Sequence, residues 1–219
     1  MRVTYYLDVI SSWCYWAEPA WAELKRRYAG RVQFDWRIAL VSPADFPVSQ
    51  EQEEWFFRRS GGTTMHSPYM LDAGWVEKGR KGGYPGPNLV AEAARDLGAS
   101  GDTVRLALAD AALRHGRKVG NMGEAVAVAA KAGKIGPKKL RARAESAPVR
   151  ARVEASTSEF HAHRISQRPA FILEDPIGDK AVFSGLVRVE PLASAIEAML
   201  SDTAAYAAHK AHFGDPPKT

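Results

Sequence analysis

Cysteine is almost absent from this sequence: Cys14 stands alone among 219 residues. One thiol cannot close an intramolecular disulfide, and sparse cysteine is the usage of a reducing compartment. No apolar run approaches the roughly 20 residues that a membrane-spanning helix needs. The opening residues 1–7 enter a strand pattern without the charged start, apolar stretch and small-residue cleavage site of a signal peptide. A soluble, cytoplasmic protein with no membrane partner is expected. Internal repeats and low-complexity tracts are missing as well. No Cys, His or carboxylate spacing suggests a metal site, and His161 and His163 fall on different sides of a helix. No metal is expected.

Hydrophobic residues make up 46% and charged residues 25%, the balance of an ordinary globular protein with a sizeable core. The net charge is +5, with basic residues concentrated over 134–152. That segment lacks the interleaved aromatics that stack on bases, so it reads as a solvated helix face rather than a nucleic-acid site.

Residues 3–9 are β-branched and aromatic and predict a buried strand ending in a Ser-Ser turn. From Cys14 to Tyr28, Ala17, Trp21, Leu24 and Tyr28 recur at helical spacing, with Pro19 near the first turns. A second strand is expected over 31–41. The middle then changes texture: 51–59 looks helical, whereas 60–88 is rich in Gly and Pro and predicts a functional loop or lid carrying His66, Tyr69, Trp75 and Tyr84. Ala-rich amphipathic runs follow at 89–97, 103–115, 123–132, 137–145 and 149–163. Near the end, 170–173 and 181–183 predict a hairpin, 190–200 a helix and 203–213 a short terminal helix. The fold class is therefore α/β: a thioredoxin-like core, β-α-β plus β-β-α, over 1–45 and 164–219. A large helical insertion occupies 46–163, with an irregular loop at 60–88.

Four segments carry a resemblance. They are Asp8 followed by Ser11-Ser12-Trp13-Cys14-Tyr15, Asn88 at the head of an Ala-rich helix, Arg168-Pro169-Ala170-Phe171, and Phe183-Ser184-Gly185-Leu186-Val187-Arg188-Val189-Glu190. In this order the chain resembles the DsbA-like superfamily: disulfide oxidoreductases, kappa-class glutathione transferases and 2-hydroxychromene-2-carboxylate isomerases. The resemblance implies a cis bond at Pro169, catalytic positions at Ser11 and Cys14, and substrate contacts from Trp13, Asn88, Arg168 and Pro169.

The chemistry of the first motif stands without the family. A residue at a helix N-terminus faces unpaired N–H groups and the positive end of the helix dipole, which favour a thiolate or other anion. Where a Cys-x-x-Cys motif carries its attacking sulfur, this chain has Ser11. A serine hydroxyl forms no disulfide, so the dithiol cycle is excluded.

Three arrangements remain. Ser11 donates a hydrogen bond to the thiolate of bound glutathione, as the resemblance to the transferases and isomerases implies; or Cys14 works as a single thiol through mixed disulfides; or Cys14 is a core residue and Ser11 a helix cap. The functions that follow are an oxidoreductase-like enzyme acting on thiols or glutathione conjugates, a glutathione-dependent isomerase or transferase, and a non-catalytic thiol- or peptide-binding module. The partners expected are a small-molecule thiol or glutathione conjugate, protein thiols, and a second copy in a homodimer. Leu186 and Val187 depart from the polar pair that holds the γ-glutamyl end of glutathione in the kappa-class transferases.

Overall fold

The computed structural model describes residues 1–63, 74–75, 84–185 and 188–215. The chain begins with β1 (Arg2–Leu7), α1 (Ser12–Arg27) and β2 (Gln33–Ile38), with β2 running parallel to β1. From Val3 to Leu7 every residue of β1 is buried, as its apolar character requires of an inner strand. β2 is shorter than the pattern over 31–41 predicts. The last main-chain bond to β1 is that from the Ala39 N–H to the Leu7 carbonyl, and beyond it side chains from elsewhere take over the hydrogen bonds.

A 3₁₀ turn at Pro43–Asp45 leads into α2 (Gln50–Thr63). Most of the expected irregular loop, His66 and Tyr69 included, lies outside the described residues. α3 (Pro85–Asp96) starts at Pro85 rather than Leu89, since a first turn needs no proline N–H. α4 (Thr103–Leu113), α5 (Met122–Gly133), α6 (Pro137–Ala144) and α7 (Ala147–Ala162) then form the helical block. Two of its basic residues tie helices together: Arg143 and Arg152 both reach Asp96 on α3, and Arg152 also reaches Glu92.

β3 (Ala170–Glu174) and β4 (Lys180–Ser184) form the hairpin, and the sheet order is β2-β1-β3-β4. β3 is antiparallel to β1, with Tyr6 opposite Ala170. The final element, α8 (Val189–Phe213), is one continuous helix where the pattern predicts two. The intervening Ser201, Asp202 and Thr203 include neither Gly nor Pro, so nothing forces a break.

The observed order, β-α-β, helices, then β-β-α, is the expected thioredoxin-like core with a helical insertion. One large apolar cluster joins β1, α1 and β3 to α3, α4 and α5. A smaller one, Tyr6, Ala39, Phe160, Ala170 and Ile172, lies on the α7 side of the sheet. Among the described residues no helix is long and apolar enough to cross a membrane.

Candidate active site

The C-terminal ends of β1 and β2, the N-terminus of α1 and the entry to β3 meet at one end of the sheet. In α/β proteins this end faces ligands. Ser11 is the N-cap of α1, with extended backbone, and its Oγ accepts a long bond of 3.4 Å from the Cys14 N–H. The first turn holds no acidic residue, although the nearby Asp8 and Glu18 disfavour a negative charge on Cys14. Trp13, half-buried in that turn, sets its ring 6.0 Å from that of Trp16.

Cys14, expected as a second catalytic group or as a core residue, lies in the interior. It is 2% exposed and lies in the main apolar cluster. Burial pushes its thiol up to about 12, against an opposing hydrogen bond from Ser11, so the group is protonated at neutral pH. Its carbonyl accepts the hydroxyl of buried Tyr5 at 2.8 Å. The structure makes Cys14 part of the floor beneath Ser11.

The Arg168–Pro169 peptide bond is cis. Register places Pro169 beside the end of β1, since its neighbour Ala170 faces Tyr6. The Pro169 carbonyl accepts from the Gly185 N–H at 2.8 Å. Among the described residues the main-chain N–H and C=O of Arg168 have no hydrogen-bond partner. The side chain, expected to meet a substrate, is otherwise engaged. Its Nε, Nη1 and Nη2 donate to the carbonyls of Ala39 (2.7 Å), Ser166 (3.0 Å) and Leu40 (2.5 Å), and its guanidinium lies 4.6 Å over the ring of Phe160. A ligand carboxylate would have to displace these bonds.

Asn88, expected as a substrate contact, sits in the structure as a buried strut. It is fully buried; its Oδ1 accepts from the Val9 N–H at 2.9 Å, and its Nδ2 donates to the Tyr84 carbonyl at 3.4 Å. The inserted helix α3 thus pins the turn that carries Ser11. Leu186 and Val187 lie outside the described residues. His163 caps α7 and meets Tyr6 edge-on, in the smaller cluster's neighbourhood.

Sequence reasoning noted Asp8 only as a strand end, yet it organises the site. The carboxylate is buried, with Oδ1 accepting from the Ile10 N–H at 3.1 Å and Oδ2 from the Val41 N–H at 3.0 Å. Burial pushes Asp8 above the ordinary carboxylate range, while Val41, Asn88, Ile10 and the charge of Arg168 pull it back. Trp75, one of the aromatics expected on the functional loop, donates its indole N–H to the Ile10 carbonyl at 2.8 Å. A charged residue inside an otherwise apolar strand was the signal available for Asp8.

Cavities among the described residues lie elsewhere, including one of about 520 Å³ between β2, α3 and α7, lined by Asp35, Arg95 and Glu159. A second, of about 570 Å³, is at the opposite end of the sheet, between Met1, Arg31, Gln33 and Glu174. Another of about 490 Å³ separates α1 from α4, lined by Tyr15, Trp21 and Leu106 with Glu18 and Asp110. Among the described residues no His, Cys or carboxylate cluster suits a metal ion.

No protein-family model matches this sequence, and no curated protein matches it. Solved structures do. A Nitrosomonas europaea protein named for protein disulfide isomerase aligns over 92% of this chain and 98% of its own, with a TM-score of 0.74 and 16% identity. The cytosolic disulfide reductase DsbM from Pseudomonas aeruginosa aligns over 84% and 89%, with a TM-score of 0.63 and 19% identity. A 2-hydroxychromene-2-carboxylate isomerase aligns over 94% and 99%, with a TM-score of 0.63 and 14% identity. The chain has the DsbA-like thioredoxin fold.

Proposed function

We propose that this protein is a glutathione-dependent enzyme in which Ser11 stabilises a thiolate that the ligand brings. The observation that carries the reading is the pair Ser11 and Cys14: a hydroxyl at the open N-terminus of α1, with the chain's own sulfur protonated in the core below it. DsbM has also been solved with glutathione, and the isomerase neighbour shows that this architecture serves non-redox chemistry.

The donor set suits such a ligand at its sulfur. Ser11 Oγ accepts a long bond from the Cys14 N–H and lies within reach of the protonated Cys14 sulfur, so its hydroxyl proton is free to rotate outward to the stronger acceptor, a ligand thiolate. The first-turn N–H groups and the helix dipole add to the same field, and both favour the ionised sulfur over the thiol. When bound, glutathione supplies the nucleophilic sulfur. The main-chain groups of Arg168, without a partner among the described residues, offer a hydrogen-bonding edge to its extended backbone. Trp13 gives the approach an aromatic wall suited to a hydrophobic electrophile. A buried Cys14 disfavours the lone-thiol arrangement, because a mixed disulfide needs both a thiolate and access.

Calorimetric titration with glutathione tests the reading directly, together with turnover of 1-chloro-2,4-dinitrobenzene and of a hydroxychromene carboxylate. We expect wild-type binding, and a loss of about 10²-fold or more in kcat for Ser11→Ala, the size of one lost donor to a developing anion. Absence of glutathione binding by the wild-type chain would sink the proposal.

A further inference from the structure

The three backbone units after β2 are held with unusual completeness. The Ala39 N–H donates to the Leu7 carbonyl at 2.8 Å, the Leu40 N–H to Thr157 Oγ1 at 3.1 Å, and the Val41 N–H to Asp8 Oδ2 at 3.0 Å. The carbonyls of Ala39 and Leu40 both accept from Arg168. This strap therefore connects two parts of the site. At one side it is gripped by the residue that precedes cis-Pro169. At the other it bonds the carboxylate whose second oxygen fixes the Ile10 N–H, one residue before Ser11.

We infer that Arg168 is a positioning residue: by anchoring its guanidinium on the strap, it holds its own main chain at a fixed place relative to the Ser11 turn. This rests on the glutathione reading above and deepens it, because the main-chain N–H and C=O of Arg168 are the groups offered to the ligand's backbone. The side chain has no freedom to serve the ligand itself. Three carbonyls and the Phe160 ring occupy it, and it points with Ala170 toward the α7 side of the sheet. Arginine suits the task because a planar fork reaches two neighbouring carbonyls at once, which an ammonium group cannot do with the same geometry.

The test compares Arg168→Met, Arg168→Lys and Arg37→Met with the wild-type chain. Arg37 pairs with Glu159 of α7 on the same side of the sheet and does not touch the strap, so it controls for a merely structural loss. Glutathione Kd is measured by calorimetry, KM and kcat by turnover, and stability by thermal unfolding. Loss of alignment at one backbone docking edge weakens binding about tenfold in Arg168→Met, both in Kd and in KM, with kcat changed by no more than about twofold. Arg168→Lys falls between the two, and Arg37→Met loses stability with Kd unchanged. The inference is overturned if folded Arg168→Met binds as tightly as wild type, or if Arg37→Met weakens binding equally. If the wild-type chain does not bind glutathione, the functional reading fails and this role falls with it.

Discussion

At the scale of single residues, the exchange of one sulfur for one oxygen decides the chemistry, and the position of the remaining sulfur decides the rest. Ser11 and Cys14 are three apart, yet the first turn of α1 leaves Ser11 half-exposed and sends Cys14 into the core. A thiol at that depth stays protonated, since burial raises its pKa to about 12 and the Ser11 hydrogen bond recovers only part of the shift. Its reactivity should follow. Titration with an aromatic disulfide reagent at neutral pH is expected to find almost no accessible thiol in the native protein and one per chain after denaturation. Fast native labelling would show that Cys14 reaches solvent and would restore the lone-thiol mechanism. The motif's identity was legible from the sequence; the depth of Cys14 was not, because the same four letters fit an exposed or a buried sulfur. The side-chain partners of Arg168 and Asn88 were hidden for a related reason. A polar side chain beside a predicted site looks like a ligand contact until the backbone groups that need it come into view. Here those groups are the carbonyls left bare where β2 ends and the N–H of Val9 after β1.

At the scale of elements, α1 is tied to the insertion by a buried charge cluster. Arg105 of α4, 2% exposed at its side chain, donates to Glu18 of α1 at 2.5 Å and to Asp102 at 2.7 Å, while Lys25 of α1 also pairs with Asp102. Its guanidinium packs against the rings of Tyr5 and Trp36. Removing Arg105 strands the buried carboxylate of Glu18 and leaves Asp102 to Lys25 alone, so Arg105→Met should cost about 3–5 kcal/mol by urea unfolding, the usual loss when one partner of a buried pair is removed. A loss below about 1 kcal/mol, typical of an exposed pair, would mean that water reaches the cluster.

The same cluster sets a pH dependence. Burial pushes Asp102 up, but Arg105 and Lys25 outweigh it and hold the carboxyl below its ordinary range. A folded value below the unfolded one, near 3.9, means that the ionised group adds stability above that value and loses it as pH falls through the folded one. Asp102→Asn should therefore lower the melting temperature at neutral pH and flatten its fall below about pH 4; an unchanged acid slope would contradict this. The helices themselves were readable from their apolar spacing and glycine stops. This cluster was not, because Glu18, Asp102 and Arg105 each sit on helices whose charged residues look solvent-facing in sequence.

At the scale of the whole molecule, the two parts that the sequence separates share one interior. Trp21 of α1 packs on Tyr5, Phe34 and Phe171 and turns its indole N–H toward Asp102 at the head of α4. Trp36 of β2 lies under the guanidiniums of Arg95 and Arg105, both from the insertion, and Arg95 also bonds the Trp36 carbonyl at 2.8 Å. Tyr15 reaches Asp110 on α4 at 2.9 Å. The large apolar cluster crosses the same boundary without a gap, taking in Val3, Leu24 and Phe171 together with Val90, Leu108 and Ala129. An insertion attached through hinges would unfold on its own, but here the sheet's inner face is completed by inserted helices, and the turn before Ser11 is pinned by Asn88 of α3. Cooperative unfolding is the expected consequence. Urea transitions followed by far-ultraviolet circular dichroism, which reports mainly the inserted helices, and by fluorescence of a variant with Trp13, Trp16, Trp55 and Trp75 replaced by Phe, which leaves Trp21 and Trp36 at the junction as the reporters, should coincide in midpoint. Two separated midpoints would mean that the insertion is a folding unit of its own, and that the site is assembled by docking two stable parts rather than by closing a single core.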